Sequence, residues 1–130
     1  MRVALIGQPN CGKSTLFNQV AGYKAETGNF SGTTVTYTES RVRVAGEVIE
    51  LVDLPGTYTL EGGSPAEEQA AHYLNSKSVD VIVNVADSTH LASALELSLE
   101  RLFTGHHTPP FGLRPPHCRI ACTSLGCPGM

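Results

Sequence analysis

A mostly parallel β-sheet with helices on both faces is the fold this chain predicts, and three observations predict it. Apolar runs of strand length alternate with segments of helical period. One run, Val79-Asp80-Val81-Ile82-Val83-Asn84-Val85-Ala86, is nearly continuous, as a strand buried on both faces requires. The first run is followed by Gly7-Gln8-Pro9-Asn10-Cys11-Gly12-Lys13-Ser14, which fits G-x-x-x-x-G-K-[ST] between a strand and a helix. The class is therefore α/β, of the P-loop NTPase type.

The elements follow in order. Arg2 to Ile6 reads as the first strand and Lys13 to Ala21 as the first helix. Gly22 to Gly32 is polar and reads as a loop. Thr34 to Val44 and Glu47 to Val52 alternate as strands, and the short join at Ala45-Gly46 makes them an antiparallel hairpin. Ser64-Pro65-Ala66-Glu67 opens a helix to about Asn75, with Ser as N-cap, Pro at the first position and Glu three after the cap. The apolar run Val79 to Ala86 comes next. Leu91, Leu95, Leu99 and Leu102 then repeat at helical spacing. The order is β-α-β-β-α-β-α, and in such sheets ligands sit at the carboxyl ends of strands, where Gly7 and Asp53 lie.

At 130 residues the chain is at most one ordinary domain. A net charge of −3 argues against nucleic acid as a partner, because that needs clustered Lys and Arg. No apolar run approaches the roughly 20 residues of a membrane span, and no signal pattern opens the chain, so it reads as soluble and cytoplasmic. Cys11 lies in the Gly-rich loop and the other three cysteines fall in the last 13 residues, which is not a secreted disulfide framework.

The chemistry is concentrated in three segments. In Gly7 to Ser14 the backbone N–H groups would cradle phosphates, Lys13 would reach the β and γ phosphates, and the Ser14 hydroxyl would bind magnesium. Asp53-Leu54-Pro55-Gly56 fits D-x-x-G: the Asp can hold magnesium through water and the Gly56 N–H can meet the γ phosphate. Gly28-Asn29-Phe30-Ser31-Gly32-Thr33-Thr34-Val35 lies where a GTPase places a mobile loop whose Thr completes the magnesium shell. Thr34 is the choice there and Thr33 the alternative.

The ordered set Gly7 to Asn18, Gly28 to Val35, Asp53 to Leu60 and Ser64 to Glu68 resembles the amino-terminal G domain of the bacterial ferrous iron transporter FeoB, over Arg2 to about Leu102. The resemblance implies GTP hydrolysis coupled to iron(II) uptake through a membrane domain, on the cytoplasmic side of the inner membrane. It implies a nucleotide site built from Gly7 to Thr15, Gly32 to Val35 and Asp53 to Gly56. Lys13, Thr34 and Gly56 would act in catalysis, magnesium would sit on Ser14, Thr34 and Asp53, and potassium on Asn10. A monovalent cation there could do the job of an arginine finger, worth roughly 10³ to 10⁵ in rate. Thr57 stands where Ras-like proteins place a Gln that orients water. Three other readings share the P-loop: a nucleotide-regulated binding switch, a soluble RNA-modification or ribosome-assembly GTPase, and a P-loop ATPase.

The guanine-reading motif N-[KMT]-x-D is missing from its place. Asn84-Val85-Ala86-Asp87 matches N-x-x-D, but it falls inside the apolar strand and reads as a strand end. Residues 103–130 hold five of the eight Pro, three of the four Cys and three of the five His, with no Asp, Glu or Lys. They are expected to supply no buried strand and to be disordered or frame-shifted, leaving a truncated domain with an exposed edge and weak or absent nucleotide affinity. A zinc site from His117, Cys118, Cys122 and Cys127 is the lesser reading, since beside Cys118 and Cys122 there is no second, separate pair of cysteines.

Overall fold

A computed structural model describes residues 1–22, 25–58, 60, 63–77, 79–104 and 117–123, with backbone alone for 100–104 and 117–123. The strands are β1 (Arg2–Ile6), β2 (Glu26–Asn29), β3 (Thr36–Val44), β4 (Glu47–Asp53), β5 (Val81–Asp87) and β6 (His117–Thr123). The helices are α1 (Lys13–Ala21), α2 (Pro65–Ser76) and α3 (Leu91–Thr104), the last preceded by one 3₁₀ turn, Ser88–His90. The sheet order is β2-β3-β4-β1-β5-β6. Four neighbouring strands, β4, β1, β5 and β6, run parallel, and β2 and β3 complete the sheet antiparallel.

Alternation along the central strands divides the core. Ala4, Ile6, Val52, Leu54 and Ile82 meet Ala70, Tyr73 and Leu74 of α2 and Leu97 of α3. Leu5 and Leu51 meet Phe17 and Ala21 of α1 on the opposite cluster. Successive side chains of a strand leave opposite faces, so β1 feeds both clusters. The hairpin joins where the sequence places it. Ala45 and Gly46 have φ of 51° and 85°, as the tight turn matched to strand twist demands. The start of α2 is a complete capping box: the Ser64 side chain accepts from the Glu67 N–H, and the Glu67 side chain accepts from the Ser64 N–H.

Two strands correct the sequence reading. β2 lies inside the segment read as a loop. Its residues are mostly exposed and carry no apolar alternation, so no pattern marks them. Backbone pairing with β3 forms the strand, and the Tyr37 ring lies across Gly28, where an added Cβ would meet it at 3.0 Å. β6 lies in the tail that was expected to supply no strand. It pairs with β5 over seven residues, from Val81↔His117 to Asp87↔Thr123, so the outer edge of β5 is covered. Ladder pairing is a backbone property, and a run without Pro can adopt it despite an unusual composition. Residues 105–116 and 124–130, on which much of the disordered or frame-shifted reading falls, lie outside the described residues, as does Cys127 of the zinc reading. Among the described residues no group of three His, Cys, Asp or Glu could hold a metal ion.

Candidate functional site: a phosphate cleft at the carboxyl ends of β1 and β4

Parallel pairing of β1 with β4, Leu5 opposite Asp53, brings their carboxyl ends side by side. The chain leaving β1 turns back at Asn10, with φ 63°, and at Gly12, with φ 88°, before α1 begins. Gly12 occupies the N-cap and offers no side-chain cap, so the first amides of α1 are left to an outside acceptor. A cleft of about 560 Å³ results, lined by Gln8, Pro9, Asn10, Cys11, Gly12, Lys13, Ser14, Thr15 and Gly56.

Two glycines are fixed by close approach. A Cβ on Gly7 would lie 2.6 Å from the Val85 carbonyl oxygen and 2.8 Å from Cys11 Sγ. A Cβ on Gly56 would lie 2.9 Å from Pro9 Cα, so the two loops touch backbone to backbone. The Thr57 N–H donates to the Gly7 carbonyl at 2.8 Å and ties them. Burial pushes the Cys11 thiol pKa up, which keeps it protonated and inert within the loop.

Lys13 is buried against β4. Its ammonium donates to Asp53 Oδ1 at 2.5 Å and to the Leu54 carbonyl. Ser14 Oγ donates to Asp53 Oδ2 at 3.4 Å. A hydroxyl and a carboxylate this close form an oxygen donor set of the kind a hard divalent cation takes, so Ser14 and Asp53 fit magnesium. The Asn10 side chain belongs to a residue lining the same cleft, and its amide oxygen is a fit donor for a monovalent cation.

Not every expected residue converges here. Gly32, Thr33, Thr34 and Val35 do not line the cleft, and neither do Gly7, Asp53, Leu54 and Pro55, although Asp53 and the Leu54 carbonyl accept from Lys13. Thr33 is engaged locally: its hydroxyl donates to the Phe30 carbonyl at 3.3 Å and accepts from the Val35 N–H at 3.2 Å. Thr34 is exposed. Asn84, fully buried on β5, donates through Nδ2 to the Ala94 carbonyl and to Ser98 Oγ, both at 2.7 Å. Asp87 caps the 3₁₀ turn by accepting from the Thr89 N–H and hydroxyl. Both ends of Asn84-Val85-Ala86-Asp87 thus serve the fold, in keeping with a strand end.

The sequence reading missed two features. Glu67 is buried and also accepts from the Tyr58 N–H at 3.2 Å, tying the chain after Gly56 to α2. The capping-box spacing signals the first contact but not the second. Thr57 is 1% exposed, and its hydroxyl has no hydrogen-bond partner among the described residues. No sequence signal marks that.

Residues 1–108 match the family model described as ferrous iron transport protein B. The chain belongs to that family. It is 44% identical over 102 residues to the Fe(2+) transporter FeoB of Campylobacter jejuni, covering 78% of this chain and 17% of that protein. It is 40% identical over 109 residues to the Escherichia coli FeoB, covering 81% of this chain and 14% of the relative. The chain therefore spans less than a fifth of the length of these FeoB relatives. Among solved structures, the G domain of the T. maritima FeoB iron transporter superposes with a TM-score of 0.76 at 32% identity, over 95% of this chain and 87% of that one. The cytosolic domain of the same transporter in its GMPPNP form gives 0.73 at 41% identity, over 76% of this chain and 39% of the other. The α/β P-loop architecture and the correspondence to a FeoB G domain are established by these likenesses. No described helix is long and apolar enough to cross a membrane.

Proposed function

We propose that this chain is the GTP-binding and GTP-hydrolysing part of a ferrous iron transporter, on the cytosolic side of the bacterial inner membrane, where hydrolysis would be coupled to iron(II) uptake by a membrane domain. One observation carries this reading: Lys13, Ser14 and Gly56 line a single cleft at the carboxyl ends of β1 and β4, and Asp53 is bonded to both Lys13 and Ser14. FeoB neighbours solved in GDP and GMPPNP forms support guanine nucleotide as the ligand class.

In this scheme the Lys13 ammonium leaves Asp53 and the Leu54 carbonyl for the β and γ phosphates. Gly7 to Thr15 offers backbone N–H groups to the remaining oxygens. Ser14 and Asp53 would hold magnesium, with Thr34 completing the set after its loop moves, and Asn10 would hold potassium. Bound cations supply positive charge against the phosphates. Gly56 would sense the γ phosphate through its N–H, and Val35 and Leu54-Pro55 position the two loops. Thr57 turns no group towards the cleft in this arrangement: it is buried, and its N–H donates to Gly7. That observation favours slow turnover and lends weight to a second reading, a nucleotide-regulated binding switch.

Residues beyond 108 are best read as sequence that departs from the family. The family match stops at residue 108, and the composition changes after Leu102. The four residues directly after β6, Ser124-Leu125-Gly126-Cys127, hold no Asn or Asp, so on this reading the phosphates carry the affinity and the base is read poorly. Calorimetry with GTP, GDP and ATP tests this. The expected result is dissociation constants above the micromolar range with GTP and ATP within about tenfold of each other, since an unread polar edge gives no discrimination. Tight and strongly guanine-selective binding overturns the poor-base-reading part, and no binding of any nucleotide overturns the whole. Single-turnover rates in potassium and sodium chloride separate enzyme from switch.

A further inference from the structure

The loop that carries Thr34 is held at a distance from the cleft by aromatic side chains to which the reading above gives no role. Phe30 is 8% exposed and sits in the same core cluster as Tyr73 of α2. Its ring lies 4.9 Å from that of Tyr37 and 6.2 Å from that of Tyr73, and Tyr37 and Tyr73 are 5.9 Å apart. These separations are within the range in which aromatic pairs attract. The three rings come from three places: the loop, β3 and α2.

The loop itself is one closed unit. The Phe30 N–H donates to the Val35 carbonyl at 3.0 Å, and the Thr33 N–H donates to the Phe30 carbonyl at 3.1 Å. Val35 packs against the same core, so both ends of the unit are anchored. Thr34 lies between them and does not line the cleft. A closed unit moves as a body, so bringing Thr34 to the cleft requires Phe30 to slide or lift on Tyr73. At its other end α2 is tied to the chain after Gly56 through Glu67 and the Tyr58 N–H. One helix therefore touches both loops that a γ phosphate would engage.

We propose that Phe30, Tyr37 and Tyr73 form an aromatic latch that positions the Thr34 loop and joins its movement to α2. The proposal rests on the nucleotide reading above. Phe30 and Tyr73 are positioning residues in it, and Gly28 is required because the Tyr37 ring occupies the space a side chain would take.

The chain contains no tryptophan, so F30W supplies a single fluorescent reporter. Emission of the F30W chain, and hydrogen exchange of amides 30–35 in the unsubstituted chain, are followed with magnesium plus GDP or a non-hydrolysable GTP analogue. The analogue is expected to shift the emission and to change exchange at 30–35 and across α2, while GDP does neither. Tyr73→Phe should preserve the response. Tyr73→Leu should raise basal exchange at 30–35 about five- to tenfold, the worth of one aromatic contact, and erase the difference between nucleotides. An unchanged response in Tyr73→Leu overturns the latch, as does a loop that answers both nucleotides alike. If F30W unfolds, exchange on the chain with its own Phe30 decides alone. Anisotropy of a fluorescent GDP reports binding separately. Binding without a loop response defeats the latch only; no binding defeats both the latch and the nucleotide reading.

Discussion

β1 and β6 are parallel strands of one sheet, and each is followed by a segment that a guanine-nucleotide domain uses for recognition. After β1 the constraints are dense. Gly7 and Gly56 leave no room for a Cβ, Gly12 needs its positive φ, and Lys13 and Ser14 reach Asp53 on the next strand. After β6 the sequence reads Ser124-Leu125-Gly126-Cys127, with neither the Asn nor the Asp that would read guanine. The difference is one of physical kind. On the proposed reading phosphate would be gripped by backbone shape, one cation and two oxygen donors. A base is read by one or two side chains at its edge, and losing them leaves the fold intact while removing specificity.

The comparison is broken most severely at Lys13. Lys13→Ala removes the phosphate cation and leaves Asp53 in a pocket where both partners are nearly buried. Stripping one member of a buried pair costs about 3–5 kcal/mol. GDP affinity should fall by about 100-fold or more in calorimetry, and the urea midpoint should fall with it. Retained affinity would mean that the backbone cradle alone holds the nucleotide.

The converse test rebuilds the other side. Ser124→Asn together with Cys127→Asp writes N-x-x-D directly after β6. An Asp accepting two hydrogen bonds from a base is worth about 1–3 kcal/mol. The GTP-over-ATP affinity ratio should rise about 10- to 100-fold, with GDP phosphate contacts unchanged. A ratio that stays near one would show that the motif alone does not restore base reading here.

These two sites also show what the chain states openly. Gly7 to Ser14 and Asp53 to Gly56 were legible because local backbone needs, such as glycine at close approach, select particular residue types at fixed spacing. Their convergence followed from the parallel order of strands alone. β2 was not legible, because Glu26-Thr27-Gly28-Asn29 has no apolar face and owes its strand to the Tyr37 ring and the β3 ladder. β6 was hidden for a related reason: an edge ladder uses N–H and C=O groups, to which composition is nearly blind. The burial of Thr57 and the second bond of Glu67 depend on contacts between distant elements, so no local pattern could announce them.

Asn84 separates a structural amide from a base-reading one. Its Nδ2 satisfies the Ala94 carbonyl and Ser98 Oγ within the core, while its own Oδ1 has no hydrogen-bond partner among the described residues. Asn84→Ala removes two buried hydrogen bonds and opens a small cavity, a net cost of about 1–3 kcal/mol, partly offset because the Oδ1 goes too. The thermal midpoint should drop by several degrees, with the GTP-over-ATP ratio unmoved. A changed ratio would return Asn84-Val85-Ala86-Asp87 to candidacy as a base-reading motif.

Asp87 gives the smallest effect and the finest distinction. The Thr89 N–H, then the Thr89 hydroxyl, hold its carboxyl pKa below the usual range, with His90 adding to the same side. The folded state therefore prefers the ionised form. Its contribution is present above the ordinary carboxylate pKa and fades as pH falls through that value towards the lower folded one. Asp87→Asn should be slightly less stable than the parent at pH 7, and the gap should narrow as pH falls below the ordinary carboxylate pKa. Nucleotide preference should not change at any pH. A carboxylate that instead read guanine would alter the GTP-over-ATP ratio at pH 7 and leave the acid limb of stability alone, so one variant measured two ways assigns Asp87 to the fold or to the base.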